Sequence, residues 1–90
     1  MAYSYFSTNQ VTVGATATLI VAAHAGRKNA LIINEGSVDI RIGNSSSVTL
    51  NNGVLLSGGK GANLMIEGGG TVYGIVASGS EAVSFIEVFF

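Results

Sequence analysis

An all-β fold, a compact antiparallel β-sandwich of jelly-roll-like type with an extended N-terminal segment, is predicted by three features of the sequence. Short runs rich in Val, Ile, Leu, Thr and Tyr recur along the chain, clusters of Gly, Asn and Ser separate them, and no window holds a 3.6-residue apolar period over a helical length. Several short strands at this spacing suit a small sandwich or jelly roll.

The first element, "YSYF", places Tyr3 and Tyr5 on one face of an extended segment and Phe6 on the other. Residues 1–9 are expected as an extended arm and residues 10–90 as the sandwich domain, with strands over 3–6, 10–13, 18–22, 30–34, 38–42, 54–56, 63–67, 71–77 and 82–89. "VDIRI" alternates cleanly: Val38, Ile40 and Ile42 point one way, Asp39 and Arg41 the other, as on a sheet with one wet face. "LIVAA" and "ALII" are apolar on both faces, which marks strands covered on both sides by a second sheet or by another subunit. "NEGS" and "ASGS" carry turn chemistry and are read as hairpin connections. In "HAGRKN", Gly26 turns the chain. Arg27 and Lys28 either stay in water there or anchor an acidic partner surface, which Arg does in bidentate form. The C-terminal "FIEVFF" gathers Phe85, Val88, Phe89 and Phe90, an aggregation risk if left bare. Both aromatic ends are therefore candidate interfaces.

A chain of 90 residues is one small domain, and domains of this size bury only about 60–65% of their unfolded surface. Hydrophobic residues make up 48% of the chain and charged residues 10%, far below the roughly 25% charged share of ordinary soluble domains. Association is the expected remedy for so small and so apolar a chain. A net charge of −1 supplies no basic footprint for nucleic acid or for an anionic membrane. No cysteine is present, so disulfides and thiolate metal sites are excluded. "TLIVAAHAG" imitates a signal peptide but has no basic region before it, and no apolar run approaches the roughly 18–20 residues of a membrane helix.

The search for chemistry points to no catalytic, metal or cofactor-binding residue. His24 is the single imidazole, and the carboxylates are Glu35, Asp39, Glu67, Glu81 and Glu87. No serine sits in a G-x-S-x-G elbow, and a lone His24 cannot supply the convergent ligands of a zinc site. "GGKG" at residues 58–61 lacks the Ser or Thr that must follow the Walker lysine. "NSS" at 44–46 matches the glycosylation triplet without a secretion signal to give it weight. The expectation is a protein that is not an enzyme.

The order "TLIVAAHAGRKNALIINEGSVDIRIG", "NGVLLSGG", "GGGTVYGIVASGSEAVSFIEV" resembles small virion structural proteins of tailed bacteriophages, of the capsid decoration, cement or head-fibre-base type. Gly26, Arg27 and Lys28, Gly36 and Ser37 with Asp39, and Tyr73, Gly74 and Ile75 with Ser78 and Gly79 carry the likeness. The aromatic ends depart from it. The resemblance implies a capsid-surface protein, made in the host cytoplasm, that stabilises the head by binding the outer face of the major capsid protein as a homo-oligomer. A trimer is favoured, because capsid lattices offer three-fold sites. Expected interface residues are Tyr3, Tyr5, Phe6, Phe85, Val88, Phe89 and Phe90, with Arg27, Lys28, Asp39 and Arg41 as polar contacts. The alternative is a tail or fibre module recognising a host glycan, with Tyr73 as its aromatic platform.

Overall fold

The strands begin where the turn-forming clusters end, and the computed structural model, which describes residues 5–90, contains eight of them. They are β1 (Tyr5–Gly14), β2 (Thr18–Val21), β3 (Arg27–Asn34), β4 (Ile40–Gly43), β5 (Val54–Leu56), β6 (Asn63–Glu67), β7 (Val72–Ile75) and β8 (Ser80–Phe89), with no helix among the described residues. They form two antiparallel four-stranded sheets, ordered β1-β8-β3-β6 and β2-β7-β4-β5. This is the jelly-roll order. Every successive connection except β4 to β5 passes from one sheet to the other. The predicted all-β sandwich is thus the observed fold.

Two readings of the connections are corrected. "NEGS" does not close a hairpin, because β3 and β4 lie in different sheets, and "ASGS" likewise carries the chain from β7 across to β8. What the sequence presents as a hairpin turn is a corner held by two buried polar side chains, Asn34 and Glu81. Asn34 Nδ2 donates to the carbonyls of Val38 at 2.8 Å and Ser57 at 3.2 Å, and its Oδ1 accepts from Gly36 N at 2.9 Å. Glu81 Oε2 accepts from Val38 N at 2.5 Å. With both Val38 backbone groups committed to the corner, β4 starts only at Ile40.

The alternation seen in the sequence fills the space between the sheets. Ala30 and Ile32 of β3, Val13 of β1, and Val83 and Phe85 of β8 meet Ile20, Ile40, Ile42 and Val72 of the other sheet. Gly74 sits in this contact because a Cβ there would approach Ile20 Cδ1 to 2.8 Å and Ile40 Cγ2 to 3.2 Å. Residues 5–9, expected as an arm, form the first half of a single strand and pair in register with β8, from Tyr5 opposite Phe89 to Asn9 opposite Phe85. Tyr3 lies outside the described residues.

Replacing Asn34 by Ala orphans the Gly36 amide and removes a donor from Val38 and Ser57. The expected cost is about 1–3 kcal/mol, read as a lower urea midpoint at unchanged slope; an unshifted midpoint would show that the corner does not depend on this side chain.

Candidate functional site

Several of the predicted interface residues come together at one end of the molecule, where β1, β3 and β8 run past the opposing sheet. Tyr5 stacks on Phe89 with ring centroids 4.8 Å apart at 18°. His24 meets the same ring edge-on at 4.6 Å. Phe89 is therefore buried, while Tyr5 and Phe6 stay largely in solvent. Phe90 is 70% exposed, with Lys28 Nζ 6.0 Å from its ring centroid, at the outer range of a cation–π contact.

Arg27 organises this end. It was expected in water or on a partner, and the structure corrects both expectations: its side chain is fully buried. Nε donates to the Gly68 carbonyl at 3.0 Å, Nη1 to the Ala22 carbonyl at 3.0 Å, and Nη2 to the Gly70 carbonyl. Nη1 also pairs with Glu87 Oε2 at 3.3 Å, and the other Glu87 oxygen accepts from Ser7 Oγ at 3.4 Å. The guanidinium thus ties β3, β8, the loop after β2 and the glycine loop after β6 into one unit, and through Glu87 it reaches β1. Gly69 makes the loop approach possible: its carbonyl accepts from the His24 backbone N–H at 2.9 Å, and a Cβ on Gly69 would fall on the His24 carbonyl.

The remaining expected contacts divide. Phe85 is in the core and is not available to a partner. Val88 points outward beside Phe6, on the face opposite the core. Asp39 is exposed but its Oδ1 accepts from Gly58 N at 2.5 Å, and Arg41 is half-buried with Nη1 3.4 Å from the Gly53 carbonyl. Both belong to the second sheet and to loop packing there, away from the aromatic end. Sequence reading missed Glu87, Glu81 and Asn34. The signal was present, since each falls on the inward side of its strand's alternation, where a polar residue needs a buried partner.

The pairings also define what faces outward. On the β1-β8-β3-β6 sheet, Phe6, Val88, Ile86, Leu31, Ile33 and Met65 share the outer face. On the other, Leu19, Tyr73, Ile75 and Leu55 do so around Arg41. Between the sheets, near β5 and β6, an apolar cleft of about 260 Å³ opens against Ile42, Val54, Leu64 and Ile66.

No family model matches the chain, and no curated protein matches it. Solved structures do. A protein of the Bacillus endospore appendages, which are disulfide-linked pili, is similar over 96% of this chain and 83% of its own at TM-score 0.62 and 16% identity. The stem and receptor-binding domain of spike protein P1 from bacteriophage PM2 is similar over 88% of this chain and 32% of its own, at TM-score 0.57 and 25% identity. Hydroxypropylphosphonic acid epoxidase from S. wedmorenis is similar over 94% of this chain and 43% of its own, at TM-score 0.51 and 21% identity. The chain therefore spans less than half the length of the spike and the epoxidase. Its structural neighbours include a spore pilus protein and a phage spike domain.

The third likeness overturns the expectation that the chain is not an enzyme. The absence of sequence motifs was read as excluding catalysis, yet an epoxidase, also described as an Fe(II) enzyme, is built on the same strand framework. The likeness shows the fold alone. An iron site of that kind needs several convergent His and carboxylate ligands. Among the described residues no three His, Asp or Glu side chains gather, and His24 Nδ1 already accepts from Gly26 N at 3.1 Å. The donor set of this chain does not fit such a metal.

Replacing Arg27 by Met leaves Glu87 partly buried and unpaired and three carbonyls without donors. A loss of about 3–5 kcal/mol is expected, whereas Phe90→Ala, at an exposed position, moves stability by no more than about 0.5 kcal/mol. Denaturant titration of both variants checks the contrast; equal effects would remove Arg27 from the centre of this end.

Proposed function

We propose that this chain is a structural protein of a virion surface, a decoration or cement subunit that binds the outer face of a major capsid protein and works as a homo-oligomer. Made in the host cytoplasm, it would reside on the capsid. The observation that carries the reading is the row of apolar side chains on each outer face of a single small sandwich, since exposed apolar patches mark contact surfaces. A cement protein acts through many identical weak contacts, and multivalency turns modest affinities into firm attachment. The likeness to a phage spike domain and to a pilus protein supports a role in an assembly, as does the sequence resemblance to virion proteins.

Host-surface recognition is the second reading. It is favoured by the receptor-binding part of the matching spike structure and by Tyr73, which stands on an outer face opposite Leu19.

Gold-labelled antibody against the chain should decorate the heads of particles from its source at regular spacing. Purified Met65→Asp should rebind stripped heads at least about tenfold more weakly than wild type, because a charge is placed on the apolar face. Label confined to the tail, together with glycan-array binding lost in Tyr73→Ala, would replace the first reading by the second.

A further inference from the structure

The four edges of the two sheets are not alike. β5 has three residues, β2 has four and a register shift between Leu19 and Val21, and β6 has five and ends on Glu67. Short length, irregularity and charge are the devices by which natural sheets protect their edges. β1 has none of them. Its ten residues, YFSTNQVTVG, hold unbroken register with β8 and contain no Lys, Arg, Asp, Glu or Pro.

Hydrogen bonds show which backbone groups of β1 turn away from β8. Gln10 N donates to the adjacent Asn9 Oδ1 at 2.8 Å, Gly14 N donates to Thr18 Oγ1 at 3.1 Å, and Gly14 O accepts from Val76 N at 3.1 Å. On β8, opposite Thr12, the Ala82 carbonyl accepts from Glu35 and so faces away from β1. In an antiparallel ladder this alternation has a period of two. The even-numbered residues of β1 therefore present their N–H and C=O groups at the free edge. Among the described residues, those of Phe6, Thr8 and Thr12 meet no partner, and Tyr5 to Gln10 are exposed.

We infer that β1 is a pairing edge for a second copy of this chain, joined antiparallel to its own counterpart about a two-fold axis at Asn9. A two-fold contact requires one surface to match itself, and an uncharged strand meets no like charge when paired with its copy. The register follows from which groups are free. Centring on Asn9 sets Phe6 against Thr12 of the second copy, where the edge groups are free on both sides, and Thr8 against Gln10 of the second copy, where the Gln10 amide exchanges its local Asn9 Oδ1 partner for the facing carbonyl. Centring on Gln10 instead would set Phe6 against Gly14, whose amide and carbonyl are already held by Thr18 and Val76. The pair joins two four-stranded sheets into one continuous sheet and aligns their apolar outer faces. The unit is thus a dimer rather than the trimer expected from the sequence, and the assignment does not rest on the virion reading.

The full chain should sediment at roughly twice its 9.1 kDa mass. Thr8→Pro removes an edge N–H at a position where proline is tolerated in a sheet and should weaken the dimer by about tenfold or more, with an unchanged far-UV spectrum. Asn9→Cys should cross-link on mild oxidation, because the Cα atoms of a non-hydrogen-bonded pair lie about 4.5 Å apart, within disulfide range. Ser7→Cys, offset from the axis, should not. A wild-type chain that sediments at its monomer mass, a dimer equally tight in Thr8→Pro, or cross-linking as ready at position 7 as at position 9 would overturn the assignment.

Discussion

Burial of one guanidinium sets the conditions for the rest of this molecule. Taking an arginine out of water costs several kcal/mol unless its donors are met. Arg27 recovers that cost through the Glu87 carboxylate and the carbonyls of Ala22, Gly68 and Gly70. The sheet carrying β1 is longer than the one facing it, so the far half of β8 would otherwise have an open inner face, while the far half of β1 stays exposed. Two loops close that gap in place of strands, and Arg27 is what fastens them. Loops rich in glycine have little apolar surface of their own to bury, and a charge with several hydrogen bonds does for them what side-chain packing does in the core.

The sequence makes the class of fold legible because period-two alternation and turn composition are local properties. "ALII" and the C-terminal run lie in strands as expected and "VDIRI" does so only from Ile40, while "LIVAA" and "ALII", expected to be covered on both faces, leave Leu19 exposed and Leu31 and Ile33 half-buried on the outer side. Connectivity was less legible. A Gly-containing turn that closes a hairpin and one that crosses between sheets have similar composition, and only Asn34 and Glu81, brought together by long-range pairing, decide between them. Arg27 was misread for the same reason. Beside Gly26 and Lys28 it looks like one of a solvated pair, yet β-strand geometry separates neighbours to opposite faces, and three of its four partners lie 41 to 60 positions away. Residues 7–9, expected as part of the arm, are Ser, Thr and Asn that sit in a strand because β8 supplies the pairing.

The apolar termini acquire different meanings once placed. Phe85 and Phe89 belong to the interior, and Phe89 bridges Tyr5 and His24 at the end closed by Arg27. Phe6 and Phe90 remain outside, as do the aliphatic rows of both outer faces. A domain of this size has little interior to stabilise it, and its surface offers few charges to keep copies apart. Packing and the free β1 edge are therefore parts of one account, a stiff platform whose outward surfaces the proposed assembly would complete.

Stiffness of the Arg27 end is the claim on which that account rests. Residue-resolved amide hydrogen exchange tests it most directly, at the Arg27, Gly68 and Phe90 amides, which donate to the His24, Lys28 and Gly26 carbonyls at 3.0, 2.8 and 3.1 Å. The account predicts exchange there as slow as at the core residue Ile32, showing that this end opens only when the whole domain unfolds. Rapid exchange at these amides beside a protected Ile32 would contradict it, because the end would then be opening while the sandwich stays folded.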